Sequence, residues 1–195
     1  MLEVAEEVFA ERGYAEASMD EIARRVGVTK PMLYAYFGSK EGLLLAAIAR
    51  VRERLTRTVM DAIADANDVE DMLWRGLLAY HEFVAGHERG WAMVRHVASQ
   101  AVADKVEEIR RGLGKLIAEL MAVHAPGAPQ REREAYAEMI VGACERSALW
   151  RQTRDDVTPE QAAQLVMEGL WHGVAQLAAR YGADVPGGRS PLLRG

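Results

Sequence analysis

Hydrophobic residues recur at helical spacing along almost the whole chain, and almost no segment shows the alternation of a half-buried strand. Glycine, proline and polar clusters divide this pattern, most clearly the Ala-Pro-Gly-Ala-Pro run over residues 125–129. The later part of the chain predicts six helices, over residues 40–64, 69–85, 87–98, 101–124 and 132–151 and from behind Thr158 to about Tyr181. With three short helices before them, the sequence predicts an all-α protein of about nine helices.

Residues 18–45 predict two short helices joined by a tight turn and followed at once by a third helix. Ser18, with Glu21 three positions later, has the capping-box spacing that starts a helix. Gly27 supplies the left-handed conformation that ends this helix without a Cβ clash. Thr29 is a good N-cap for the next helix, and Pro31 lies in its first turn, where a missing N–H does no harm.

The second helix of this pair presents an unusual set of exposed side chains. Leu33 and Phe37 share one face and should pack inward, which leaves the outer surface to Thr29, Lys30, Pro31, Met32, Tyr34 and Tyr36. Phosphate binds cations, hydroxyl donors and helix N-termini, and a thymine methyl accepts apolar contacts. A helix-turn-helix places such residues in the major groove of DNA. The alternative interpretation is that the two tyrosines are half-buried packing residues.

The segment GVTKPMLYAYFGSKEGLL resembles the DNA-binding signature of the tetracycline-repressor (TetR) family of bacterial regulators. In that family, Gly-Val and a small or hydroxyl residue precede Leu-Tyr-x-Tyr/His-Phe and a lysine ahead of a leucine-rich helix. Phe9, Gly13, Tyr14 and Ser18 also match, so the resemblance covers about residues 2–48. Family members usually carry a basic segment before the first helix, whereas this sequence starts with Met1 in that helix.

The resemblance implies roles for individual residues of this segment. Thr29, Lys30, Pro31 and Met32 would approach bases or their backbone. The phosphates would be held by Tyr34, Tyr36, Lys40 and the helix start at Ser18. A regulator of this kind is by family default a repressor, released from its operator by a small effector.

Charge is distributed unevenly in a chain whose net charge is −5. Residues 1–23 are strongly acidic, while residues 24–54 carry seven basic residues against two acidic ones. A positive band therefore begins at the second predicted helix, as expected of a local DNA-binding face on an acidic protein. The alternative for Arg50, Arg52 and Arg54 is an ordinary solvated helix face.

Length and composition restrict the class of protein. The 195 residues can form one large helical domain or one small and one medium domain, and half of them are hydrophobic. We expect no membrane span and no secretory signal, because no long uncharged apolar run occurs and the N-terminus is acidic. The single cysteine, Cys144, excludes an internal disulfide framework and fits a reducing cytoplasm.

Enzymatic function is not favoured by any motif. The five histidines are scattered without a His-Glu-x-x-His pair, and there is no G-x-S-x-G elbow, phosphate-binding glycine loop or cysteine pair. Cys144 lies in an apolar stripe and is interpreted as a small core residue, although a Cys/His catalytic pair is the alternative. We therefore expect no enzyme, no cofactor and no metal site.

The last two predicted helices carry wide apolar stripes interrupted by glycines, which suit burial on more than one side. In TetR-like proteins, two C-terminal helices of each subunit form a four-helix dimer interface. The resemblance therefore implies a homodimer, with an interface formed by Ile140, Ser147, Trp150, Met167, Leu170, Trp171 and Val174. A purely intramolecular core is the alternative for these residues.

An effector pocket is a further implication of the resemblance. The large, polarizable side chains of the middle region suit an apolar ligand with a few polar anchors. The candidates are Trp74, Tyr80, Phe83, Trp91, Met93, His96, Met121 and Cys144. Each of them taken alone also fits an ordinary core position, and His81 and His96 also fit half-buried histidines with satisfied hydrogen bonds.

The sequence thus predicts a helix-turn-helix DNA-binding domain over residues 1–45, a helical effector-binding and dimerisation domain over 46–183, and a flexible tail over 184–195. The predicted function is a cytoplasmic, homodimeric regulator that binds an inverted-repeat operator and responds to a small, rather hydrophobic effector. The alternative is a helical dimeric interaction protein that keeps this fold without specific DNA binding.

Overall fold

The computed structural model describes residues 1–87 and 100–181. These two ranges contain eight α-helices and no strand, so the predicted all-α class is confirmed. The helices are α1 (Leu2–Glu16), α2 (Met19–Val26), α3 (Lys30–Phe37), α4 (Lys40–Ile63), α5 (Val69–Gly86), α6 (Gln100–His124), α7 (Gln130–Arg151) and α8 (Pro159–Arg180). The helix predicted over 87–98 and the tail predicted over 184–195 lie outside the described residues, apart from His87.

The helices begin and end close to where the local signals predict. Thr158 is the N-cap of α8 and forms a complete capping box: its N–H donates to Gln161 Oε1 (2.8 Å), and its Oγ1 accepts from the Gln161 N–H (3.1 Å). Gly27 ends α2 with φ 80° and ψ 30°, the left-handed conformation expected of it. Both termini are specified by contacts within a few residues.

The start of α2 differs from the predicted capping box. Ser18 is the N-cap, and its Oγ accepts a hydrogen bond from the Asp20 N–H (3.2 Å). The carboxylate of Glu21, however, accepts from Arg25 (2.6 Å) and lies 3.7 Å from Arg12. Glu21 therefore pairs mainly with Arg25, one turn later in α2, in place of forming the second half of the capping box.

A break within α1 lies at Gly13, whose φ of 73° and ψ of 165° are not helical. A side chain would be strained in this conformation, so glycine is required. The break turns the chain so that Tyr14 stacks near Phe9, with ring centroids 6.1 Å apart. This places Tyr14 beside the N-terminus of α4.

The chain forms two compact units. The first comprises Met1–Thr56 and Gly86–Ile109, and its core contains the fully buried residues Val8, Ile22, Leu33, Leu43, Leu44 and Ile48. The second comprises Arg57–Ala85 and Arg110–Gly195, and α7 packs along α8 within it. The predicted boundary at residue 45 remains a prediction, because compactness alone does not define a functional domain.

Candidate DNA-binding surface

The outer face of α3 is exposed, and one buried residue holds the helix in place. Leu33 is completely buried, while the exposed fractions of Met32, Tyr34 and Tyr36 are 40%, 42% and 64%. Soluble proteins seldom leave such large side chains uncovered together without a function. The exposure favours the binding interpretation of the two tyrosines over the packing interpretation.

The N-terminus of α3 is open to a ligand. Thr29 occupies the N-cap position as predicted, but its side chain makes no capping hydrogen bond. Pro31 follows in the first turn, and both residues are exposed. A helix N-terminus with an uncommitted hydroxyl is well suited to bind an anion, because the first N–H groups and the helix dipole point toward it.

Lys30 and Asp20 form an ion pair that links the starts of α3 and α2. Lys30 Nζ lies 2.7 Å from Asp20 Oδ2, and the two side chains are 45% and 69% exposed. The hydrogen bond that Lys30 donates to Asp20 raises the pKa of Lys30. The sequence predicts Lys30 as a site residue but gives no indication of Asp20, since a pair ten positions apart depends on how the helices pack.

Lys40 has structural partners within the first unit. Its Nζ donates to the carbonyl of Ala15 (3.0 Å) and lies 4.7 Å from the centroid of the Tyr14 ring. These contacts join the start of α4 to the end of α1. A phosphate contact by Lys40 has to be made in addition to these contacts or in place of them.

The predicted positive band is weaker than the sequence suggests. Arg25 pairs with Glu11 (2.9 Å) and Glu21 (2.6 Å). Arg50 lies 3.6 Å from Glu3, and Arg54 lies 3.5 Å from the buried carboxylate of Glu6. Arg50 and Arg54 therefore connect α4 to α1, so neither the DNA-facing nor the purely solvated interpretation describes them. Burial raises the pKa of Glu6, and the two arginines oppose that rise.

The structure distributes the predicted interface residues between the core and the surface. Ile140, Met167, Trp171 and Val174 are buried within their own unit, and Leu170 is half-buried. Buried side chains have little area left for a partner, which favours the intramolecular alternative for these four, and their place in an interface stays a prediction. Trp150 remains 40% exposed. Two other apolar residues of α7 and α8 are exposed but are not among the predicted interface residues: Met139 at 51% and Leu165 at 55%.

Ser147 and His81 form a buried hydrogen-bonded group. His81 is 1% exposed, and its Nδ1 lies 2.7 Å from the Leu77 carbonyl, which can only accept. Nδ1 therefore donates to Leu77, while Nε2 lies 2.9 Å from the Ser147 Oγ, which itself donates to the Ala143 carbonyl at 2.6 Å. Burial lowers the pKa of His81, the hydrogen bond to Leu77 opposes this, and Arg151 lowers the pKa further. Both residues are thus satisfied within the chain, as the core interpretation of His81 expects.

The candidate pocket residues are only partly brought together. Tyr80 and Cys144 interact across α5 and α7, and both are buried, as is Phe83. Trp74 is half-buried on α5, while Met121 packs against a separate small cluster of Ala125, Ala128 and Leu177. Trp91, Met93 and His96 lie outside the described residues. Burial raises the pKa of the Cys144 thiol to about 12, which makes it a poor nucleophile.

The described residues contain neither a group of metal ligands nor a helix that could cross a membrane. No group of three or more His, Cys, Asp or Glu side chains there is placed to hold a metal ion. Among the helices of the same ranges, none is both long enough and apolar enough to cross a bilayer. The exposed α3 surface thus remains the best-defined candidate site in this part of the chain.

The fold and this surface define a helix-turn-helix protein of the class that regulates transcription. Residues 1–47 match the family described as "Bacterial regulatory proteins, tetR family", and residues 69–173 match the "Tetracyclin repressor-like, C-terminal domain". The chain belongs to the TetR family. Regulators of this family bind DNA and typically act as dimers that respond to small molecules, so the chain is a regulator and not an enzyme.

Individual relatives agree with this assignment. A TetR-like transcriptional regulator from Rhodococcus sp. RHA1 is 32% identical, with a TM-score of 0.69 over 89% of this chain and 93% of that one. The HTH-type transcriptional activator FasR of Mycolicibacterium smegmatis is 26% identical over 91% of this chain and 82% of its own length. FadR from Bacillus subtilis, solved with stearoyl-CoA, shares the fold at 20% identity, with a TM-score of 0.71 over 87% of this chain and 95% of that one.

Proposed function

We propose that the protein is a homodimeric, sequence-specific transcriptional regulator that inserts α3 into the major groove of an inverted-repeat operator. The observation that carries this proposal is the exposed outer face of α3, with Met32, Tyr34 and Tyr36 open to solvent around the buried Leu33. Family membership supports the class of function, and the exposure supports the choice of surface.

Each exposed residue has a chemically suitable partner on DNA. Met32 and Pro31 offer apolar contacts to a thymine methyl, and Thr29 and Lys30 can donate to base edges or to the nearest backbone. The hydroxyls of Tyr34 and Tyr36 donate to phosphate oxygens, as does the N-terminus of α2 behind Ser18. Lys40 would act from its position beside Tyr14, adding positive potential near the backbone.

A dimer is needed because one reading helix contacts too few base pairs to select a site in a genome. We propose that α7 and α8 form the dimer surface and contribute their exposed apolar residues Met139, Trp150 and Leu165. A two-fold dimer reads two half-sites about 34–36 Å apart or a multiple of that distance, so the operator is an inverted repeat. Its place of action is the cytoplasm, together with the chromosome.

The second unit is proposed to bind a small, rather hydrophobic effector near Tyr80, Phe83 and Cys144. An effector changes DNA affinity only through its different affinities for the two states of the dimer. Family default favours a repressor, which the effector releases from DNA. The activator FasR, similar over most of the chain, supports activation as the second candidate.

The decisive experiment selects binding sites from a pool of random-sequence and genomic duplexes and measures affinity across a salt series. We expect an inverted repeat bound far more tightly than a scrambled duplex, with log affinity falling linearly with log salt by about 0.9 for each phosphate contacted. Equal, weak binding of every duplex would instead favour the interaction-protein alternative.

Once the operator is known, candidate effectors can be tested for their effect on operator binding. Stearoyl-CoA is the first compound to test, because a protein of the same fold was solved with it, and a set of uncharged hydrophobic compounds follows. An effector raises the melting temperature of the free protein and shifts operator affinity. If no compound does either, the sensing part of the proposal is wrong, while DNA binding stands.

A further inference from the structure

The starts of the two helix-turn-helix helices are connected by one exposed ion pair. Asp20 is the second residue of α2, and Lys30 is the first residue of α3. Lys30 Nζ and Asp20 Oδ2 are 2.7 Å apart, and the carboxylate is 69% exposed. The Asp20 N–H donates to Ser18 Oγ at the N-cap of α2, while the Asp20 carboxylate pairs with Lys30.

This placement sets an acid where DNA phosphates are expected to lie. Without a partner, Asp20 would repel a phosphate arriving at the start of α2, because like charges at short range are unfavourable even in water. Paired with Lys30, it leaves no net charge at this point. The pair therefore neutralises the charge of Lys30, the one cation that α3 carries.

Lys30 can bind a further acceptor while it stays bonded to Asp20, but that acceptor has to be a neutral one. An ammonium group has three N–H donors, so Lys30 can keep its bond to Asp20 and donate to the neutral O6 or N7 of guanine. A phosphate that approaches the same ammonium brings a negative charge toward the carboxylate and is disfavoured. The geometry thus discriminates between base-edge and backbone contacts.

We propose that Asp20 is a specificity-determining residue that holds the Lys30 ammonium for a base-edge acceptor and suppresses its binding to phosphate. The proposal rests on the proposed DNA-binding function. Asp20 acts through Lys30 and makes no favourable contact with DNA of its own. Its effect is to weaken binding to DNA of arbitrary sequence more than binding to the operator.

The test compares Asp20→Asn, Lys30→Met and the double variant on the selected operator and on a scrambled duplex of the same length. Glu119→Gln is the matched control, because it also removes one acid from an exposed ion pair, 3.8 Å from Lys115 on α6. Affinities are measured over a salt series, and circular dichroism checks that each variant is folded.

Asp20→Asn should tighten binding to the scrambled duplex about fivefold and steepen its salt slope by about 0.9, as expected for one additional phosphate contact. Operator binding should change less, so the ratio of the two affinities falls. In the Lys30→Met background, Asp20→Asn should leave the salt slope unchanged, because there is no Lys30 ammonium to make the additional phosphate contact.

Other results would overturn the proposal. If Asp20→Asn changes the affinities for both duplexes equally, or changes them no more than Glu119→Gln does, Asp20 is an ordinary surface acid. If it lowers affinity for both duplexes together with the melting temperature, the pair only stabilises the helix-turn-helix. If the wild-type protein binds no duplex selectively, the proposed function fails first, and that outcome is visible before any variant is made.

Discussion

Tyr36 and Lys40 are both expected to contact phosphate, yet their surroundings differ. The Tyr36 side chain is 64% exposed, whereas the Lys40 ammonium bonds to the Ala15 carbonyl and lies over Tyr14. The sequence predicts the same role for both and cannot distinguish them, because the partners of Lys40 lie on another helix. Substitution should separate binding from stability at these two positions.

Tyr36→Phe removes only the hydroxyl, so operator affinity should fall about tenfold, the size of one hydrogen bond to a charged acceptor. The melting temperature should stay at the wild-type value. Lys40→Ala should weaken operator binding and also lower the melting temperature by several degrees, since a hydrogen bond and a cation–π contact are lost. A melting temperature unchanged by Lys40→Ala would contradict the structural role of Lys40.

His81 makes the stability of the fold depend on pH. Its pKa is lowered in the folded chain from an ordinary 6.5, so the unfolded chain takes up a proton first as the pH falls. The stability that neutral His81 contributes is complete above pH 6.5 and is lost progressively below it, by at most about 1.4 kcal/mol per pH unit.

Denaturant unfolding at pH 7.5, 6.5 and 5.5 checks this dependence. The His81→Gln variant should lose less stability than wild type between pH 6.5 and 5.5, although it is less stable throughout. His124→Gln, at the end of α6, serves as the control and should keep the wild-type dependence. If the free energy of unfolding depended on pH in the same way for wild type and His81→Gln, His81 would not titrate differently in the folded and unfolded states.

Helix termini were predictable because their signals are local. Gly27 and Thr158 act through contacts within their own turn, and the helices that they bound agree with the sequence. The ion pairs between helices were not predictable, because Arg54 meets Glu6 only through the packing of α1 on α4. The capping box expected at Ser18 was lost to a local competitor, because Glu21 pairs with Arg25 one turn later in the same helix.

The turn between α2 and α3 should be sensitive to any side chain at Gly27. With φ at 80°, Gly27→Ala should destabilise the protein by about 1–2 kcal/mol. Gly86→Ala, at the end of α5 with open space around the added carbon, should be neutral or stabilising by up to about 1 kcal/mol. Chemical denaturation of both variants measures the difference, and equal effects would contradict the account of the turn.

At the level of the whole molecule, apolar stripes did not reveal which residues face a partner. Met167 and Trp171 are both predicted at the interface, but they are 5% and 4% exposed within a single chain. A helix that is apolar over most of its circumference has two covered sides, and the sequence does not say which one is covered by its own chain.

Leu165→Glu should convert the dimer to a monomer, because it places a charge on the proposed dimer surface, where Leu165 of α8 is 55% exposed. Val123→Glu is the matched control: Val123 is 74% exposed on α6, outside that surface, and the variant should remain dimeric. Light scattering after size-exclusion chromatography reports the mass. A dimeric Leu165→Glu protein would show that the subunits meet elsewhere.

The buried thiol of Cys144 has a practical consequence for measuring the distance between the subunits of the proposed dimer. The chain has no other cysteine, and a thiol with a pKa of about 12 reacts slowly with maleimides and methanethiosulfonates. A cysteine introduced at the exposed Glu16 should therefore take up a spin label selectively in the otherwise natural sequence. Pulsed electron paramagnetic resonance would then give the distance between the two labelled subunits of a dimer directly, with and without effector.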